Sequence, residues 1–314
     1  MSAFQSPDIP SLDLMLSDPG SSPTVLRIAI GSRLRKLREA AGFSPPDASA
    51  HIRCHESKIS RMECGRVPLK VRDVQDLLEL YGVDPRERAA SADLVELSNR
   101  SGWWERYNNV VPEWFDKLIG LQEGASIIWT YEVLLVPGLL QTPEYAFAVT
   151  QKGFPLADRL DIEARVNLRV DRQKILSRAD GPRLWALIDA SVLDREIGGP
   201  EVMYGQISHM IDLMDHPRIT LQIVPADFVV AIGMPVTLIR FPLDLPDIVY
   251  LENSFGANYL DRAKETTHFR ALLDPLASKA HSPEQTRSRL VAALERYRTT
   301  RPTPPYSSSP DVSA

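Results

Sequence analysis

The stretch from Ser44 to Arg66 holds the densest set of side chains in the chain that could do chemistry. It reads as two short helices joined by a tight turn, with Ser44 as N-cap, Pro45 at the first helical position and Gly65 closing the second helix. Ala48, Ile52, Ile59 and Met62 are the small or apolar positions that two crossing helices would bury. Against them, His55, Glu56, Ser57, Lys58 and Arg61 form a polar face on the second helix. A short helix with a buried stripe and donors and acceptors turned outward suits docking in the major groove of DNA. The chemistry expected here is recognition.

A second constellation exists on paper. Asp189, Glu252 and His268 could be assembled into an acid/base set. A buried carboxylate paired to Arg165 or Arg172 is the more ordinary reading of such acids. The chain has no Gly-rich phosphate loop, Gly-x-Ser-x-Gly elbow, His-Glu-x-x-His or paired metal-ligand cluster. No enzymatic activity, cofactor or metal is expected.

The elements that position these residues follow from periodicity. Leu26, Ile30, Leu34, Leu37 and Ala41 recur at three- and four-residue steps, which predicts a helix from Thr24 that Gly42 stops. After the opening stretch, Val71 to Tyr81 and Pro85 to Leu97 add two more amphipathic helices. Five helices with no strand signal between them make an all-α module over residues 24–100. Beyond it the pattern mixes strands and helices, giving an α+β (or α/β) domain over 101–281 with four or five strands. Those strands are Ile127–Glu132, Leu184–Ile188, Ile219–Val224, Val236–Phe241 and Ile248–Glu252. Asp158 to Arg178 is a long helix carrying Arg159, Arg165, Arg169, Arg172 and Arg178, either a solvated face with partners such as Asp161 or a surface for something anionic. Trp103, Trp104 and Trp114 are expected to pack the seam between the domains. A terminal helix spans 282–298. A Ser/Pro-rich arm over 1–23, with a docking segment at Leu12–Leu16 as one reading of its apolar run, and a tail over 299–314 are expected to be disordered.

Composition sets the outer bounds. The 314 residues, 44% of them apolar, suffice for about two domains. The net charge is −5, yet residues 24–88 hold 13 Lys/Arg against 9 Asp/Glu, so this module carries +4 and the rest of the chain −9. A basic N-terminal module on an acidic body is compatible with nucleic-acid binding at one end. Two cysteines exclude a disulfide framework and fit a reducing cytoplasm. No signal peptide or membrane-spanning run is found, so a cytoplasmic protein without membrane attachment is expected.

The run Leu34-x-x-Leu37-Arg38, followed by Ser57-Lys58-Ile59-Ser60-Arg61-Met62-Glu63-x-Gly65-Arg66, resembles the XRE (Cro/phage-repressor) helix-turn-helix family over about residues 24–83. The resemblance implies a lambda-repressor-like bundle in which Arg38 pairs with Glu63 as a structural clip. It places Glu56, Ser57 and Arg61 at base edges, where Arg suits guanine O6/N7 and Glu can accept from cytosine N4. It places His55, Lys58 and Arg66 at phosphates. It also sets Cys54 in the buried turn and His55 toward DNA, which disperses the ligand types of His51, Cys54, His55 and Cys64 that could otherwise hold Zn²⁺ or sense redox state. Two positions depart from the family: Pro45 stands where a phosphate-holding Gln is usual, and Arg53 where the turn often has Gly. A homodimer on paired half-sites of double-stranded DNA is therefore expected.

Downstream, Tyr131 to Ala146 (with Val136-Pro137-Gly138-Leu139-Leu140-Gln141-Thr142-Pro143 at its centre), Arg165-x6-Arg172-Gln173, Leu184 to Asp189 and Thr220 to Pro225 resemble the C-terminal domain of actinobacterial antitoxin-like or developmental regulators. The resemblance spans roughly 103–280, with Ala190 departing where the group commonly has Glu. It implies a transcriptional regulator whose second domain serves dimerisation, ligand sensing or partner docking. The alternative is an antitoxin-like protein that holds a small acidic partner or toxin and binds DNA for autoregulation.

Overall fold

The computed structural model describes residues 22–228, 232–242, 245–253 and 255–299. The segment Leu12–Leu16, nearly all of the arm and the tail beyond Thr299 lie outside the described residues. Five helices come first: α1 (Pro23–Ala40), α2 (Pro45–His51), α3 (Glu56–Glu63), α4 (Val71–Leu80) and α5 (Pro85–Ser98). Their ends are encoded locally. Ser44 caps α2 through a reciprocal capping box with Asp47, and the Asp84 side chain accepts from Arg86 N at the start of α5. Leu34, Ala48, Ile59, Met62, Val74, Leu77 and Leu94 close one apolar core among the five helices.

The second domain is built on a six-stranded sheet: β1 (Ile127–Glu132), β2 (Arg183–Asp189), β3 (Ile219–Val224), β4 (Val236–Arg240), β5 (Ile248–Asn253) and β6 (Gly256–Leu260), in the order β3-β2-β1-β4-β5-β6. Strands β1, β2 and β3 are parallel neighbours, and β4, β5 and β6 continue antiparallel from the other side of β1. The parallel trio needs helical crossovers. These are α7 (Pro143–Gly153) with α8 (Arg159–Gln173), then α9 (Pro200–Leu213). α6 (Glu113–Glu123) precedes the sheet, and α10 (Ala263–Lys279) and α11 (Pro283–Thr299) follow it.

Each face of the sheet has its own cover. Trp129, Tyr131, Leu187, Leu238 and Val249 pack with Leu273 and Leu276 of α10, and Trp129 stacks on Trp185 at 4.7 Å. On the other face Ile128, Leu184, Ala186, Ile188 and Ile239 pack with α9 and with Leu290, Ala293 and Tyr297 of α11. The terminal helix is thus part of the sheet's core, where the sequence pattern alone had set it apart. Of the tryptophans expected at the seam, Trp114 packs against the cluster that holds Val25 and Ile28 of α1, while Trp103 and Trp104 join Ile119 and Leu168 in a small core between α6 and α8. The seam itself is made by α1, whose Val25 and Ile28 pack with Leu118 and Leu121 of α6.

Candidate nucleic-acid interface

Contacts along its buried side and at its C-terminus hold α3 in place. Ile59 and Met62 are enclosed in the helical core. At its C-terminus Glu63 receives a two-pronged grip from α1: Arg38 Nε donates to one carboxylate oxygen at 2.6 Å and Nη2 to the other at 3.0 Å. The third nitrogen, Nη1, donates to Phe43 O at 3.0 Å in the turn after α1. This carboxylate bond is the main reason the Arg38 guanidinium is held above its ordinary pKa. Gly31 of α1 lies directly under the end of α3, where a Cβ would come within 2.7 Å of Glu63 O. Gly65 then ends the helix at φ +62° with Ile28 of α1 against it, a conformation and a clearance that together favour glycine.

The outer face of α3 carries Glu56, Ser57 and Arg61, all exposed. Arg61 Nε donates to Ser57 O at 3.2 Å, which lays its side chain along the helix with the rest of its guanidinium open. The three expected phosphate contacts have partners inside the protein. His55 caps α3, its Nδ1 accepting from Ser57 N at 3.2 Å and lying 2.9 Å from Ser57 Oγ. Lys58 Nζ donates to Asp73 on α4 at 2.5 Å. Arg66 Nη2 donates to Asp261 at 2.8 Å, a residue of the second domain just before α10. That bond is the leading cause of the raised Arg66 pKa.

In the turn, Arg53 stands at φ +52°, the one non-glycine residue with positive φ among the described residues. The backbone therefore keeps the turn that glycine would make, at a steric cost to Arg53. Cys54 is half-buried against the helical core, and burial pushes its thiol up. Among the described residues no three His, Cys, Asp or Glu side chains converge as metal ligands.

Residues 29–90 match a helix-turn-helix domain, which fits the α1–α5 geometry. Residues 115–291, more than half of the chain, match the family described as a domain of unknown function, DUF5753. The chain belongs to the DUF5753 family. No curated protein and no solved structure matches it. A helix-turn-helix domain is the kind of module by which regulators bind DNA, and no helix among the described residues is long and apolar enough to cross a membrane.

Within the DUF5753 domain the acid/base set is not joined. Asp189 accepts from Ser191 N and Oγ at the end of β2, Glu252 accepts from Tyr250 OH on β5, and His268 is exposed on α10 against Phe269. No hydrogen bond links any two of the three among the described residues. Neither Arg165 nor Arg172 forms a hydrogen-bonded ion pair with a carboxylate among the described residues, although Asp161 acts on Arg165 and Glu252 and Glu132 act on Arg172 through their charge. Arg165 lies over the Phe154 ring at 3.9 Å and Arg172 over the Phe115 ring at 4.9 Å. The two motifs quoted from this region meet in space: Arg169 donates to Gln141 Oε1 at 2.6 Å, and Gln173 Nε2 donates to Gly138 O and Gln141 O at 3.0 and 2.8 Å.

Proposed function

We propose that this chain is an XRE-type, sequence-specific DNA-binding transcriptional regulator of the cytoplasm. In this reading α3 docks in the major groove with Glu56, Ser57 and Arg61 at base edges. The observation that carries it is the contrast within one short helix. Ile59, Met62 and the clipped Glu63 are fixed against the bundle, while Glu56, Ser57 and Arg61 are exposed on the outside, bonded only within the helix and to its cap. His55 and Lys58 flank the phosphates, and Arg66 joins them once released from Asp261. A single short helix spans few base pairs, so the protein acts as a homodimer on paired half-sites, with the DUF5753 domain providing the pairing or the regulatory input and no catalysis.

Selection of bound sequences from a random duplex pool tests this. The full chain is expected to enrich one motif with two-fold symmetry. Arg61→Ala should lose that motif while its circular dichroism spectrum stays that of the wild type. Equal retention of all duplexes by the wild type would overturn the reading.

A further inference from the structure

On one face of the sheet the cross-strand rows change character toward the end of β1. The first row is apolar, with Ile128 opposite Ile239 and Ile239 opposite Ile248. The next is Thr130, Thr237 and Tyr250, the two threonine hydroxyls 3.1 Å apart. Beyond these stand Glu132 and Glu252, near the ends of β1 and β5. The rows front a cavity of about 730 Å³. That volume lies within the ~300–1,000 Å³ of small-molecule sites, and ligands of open α/β sheets gather outside the carboxyl ends of the strands.

Two guanidinium groups of α8, Arg169 and Arg172, form the facing wall. Arg169 is satisfied in part by Gln141. Arg172 is only 6% exposed and makes no hydrogen bond or ion pair among the described residues, its Nε being sealed from solvent. Its Nη2 lies against Gly138, where a Cβ would come within 2.6 Å. A buried guanidinium with no acceptor is costly, because each unpaired charged donor forfeits its hydration. Burial, with Arg169 beside it, lowers Arg172 to about 10, so it stays charged at neutral pH.

The other charges in the cavity do not cancel this. Glu252 is a carboxylate held by Tyr250 OH at 2.6 Å. Burial and the neighbouring Glu252 push Glu132 up to about 8, so it is mostly a neutral acid at pH 7. Two guanidinium groups line the cavity, and Arg172 has neither a hydrogen bond nor an ion pair to any carboxylate in it among the described residues. Phe115, Leu118, Leu135, Val149 and Leu184 supply apolar wall around it. A cationic ligand would be repelled by the two guanidinium groups, and a neutral acceptor would bond Arg172 more weakly than a carboxylate, which meets the guanidinium with two charge-assisted hydrogen bonds. Inorganic phosphate would leave the apolar wall in water.

We infer that this cavity is a binding site for a small organic monoanion, a carboxylate head on an apolar body. The head accepts from Arg172 and Arg169, the protonated Glu132 donates to it, and the body lies against the apolar wall. The site stands whether or not α3 reads DNA.

The test uses the full chain and matched probes: benzoate and decanoate, their amides benzamide and decanamide, and inorganic phosphate. The carboxylates are expected to raise the melting temperature and bind one per chain by calorimetry, and the amides and phosphate are not. Arg172→Met should weaken carboxylate binding by about tenfold or more. It should also melt no lower than the wild type without ligand, since it removes an unpaired buried charge.

The pH signature is separate. Glu132 is faced by Thr130 on its own strand, Glu252 on β5, Arg169 and Arg172 on α8, and Tyr145 on α7. An anion beside Glu132 favours its protonated form, so carboxylate affinity should fall as pH rises past about 8. Glu132→Gln should flatten that fall. Failure of every carboxylate to shift melting at millimolar concentration would overturn the inference. So would amides binding as well as carboxylates, or unchanged carboxylate affinity in Arg172→Met.

Discussion

Arg38 and Glu63 place two full charges where their side chains are only 8% and 7% exposed. Their desolvation is offset only while both partners remain, since the two parallel hydrogen bonds satisfy each charge with the other. Glu63→Ala leaves the guanidinium stranded, and the expected loss is about 3–5 kcal/mol in urea denaturation followed by circular dichroism. Replacing both, as Arg38→Met with Glu63→Leu, should recover most of that loss, because an apolar pair of similar volume carries no desolvation penalty. A Glu63→Ala protein that unfolds no earlier than the wild type would show that the clip does not hold α3. This pair was legible in the sequence, through the resemblance carried by Arg38 and the run from Ser57 to Arg66. The partners of Lys58 and Arg66 were not. Helix periodicity places a cation on a face, but an acceptor on another element, such as Asp73 or Asp261, is set by tertiary packing. The inward turn of Arg169 and Arg172 was hidden for the same reason. A row of arginines at helical spacing reads equally as a solvated face or as a surface for something anionic until the polar rows Thr130/Glu132 and Tyr250/Glu252 are known to face it.

At the scale of elements, periodicity located the five N-terminal helices and five of the six strands to within a few residues. It missed β6, whose Gly256-Ala257-Asn258-Tyr259-Leu260 is an edge strand with no alternation of buried and exposed positions. It also missed α6, which is covered by α1, α8 and the sheet and so shows no single apolar stripe. These two elements meet where Tyr259 OH donates to Trp114 O at 2.6 Å, beside the loop that carries Asp261. That loop reaches across to Arg66, just beyond the end of α3. If Arg66 belongs at a phosphate, the second domain competes with DNA for it. Asp261→Asn is then expected to raise duplex affinity and to steepen the slope of log K against log salt by about 0.9, the increment for one phosphate contact. Anisotropy titrations over a range of salt read this directly, and an unchanged slope would remove Arg66 from the interface.

Over the whole molecule, α1 is the shared element. One side carries Gly31 and Arg38 against α3, and the other carries Thr24, Val25 and Ile28 against α6. α6 in turn gives Phe115, Leu118 and Gln122 to the cavity wall. The approach of α1 to α6 depends on Gly120 and Gly124: a Cβ at Gly120 would collide with Thr24, and one at Gly124 would come within 2.6 Å of Val25. Because Val25 and Ile28 belong to the sheet domain's core, the two domains are expected to melt in one calorimetric transition. Gly120→Val overfills the contact, at a cost of about 1–3 kcal/mol, and should split the melt into two. The same variant separates binding at the two sites. In the wild type a carboxylate in the cavity should change duplex affinity, and the duplex should change carboxylate affinity by the same factor. In Gly120→Val both ligands should still bind, each without regard to the other. A wild-type protein in which the two affinities are already independent would mean that α1 joins the domains mechanically and carries no signal between them.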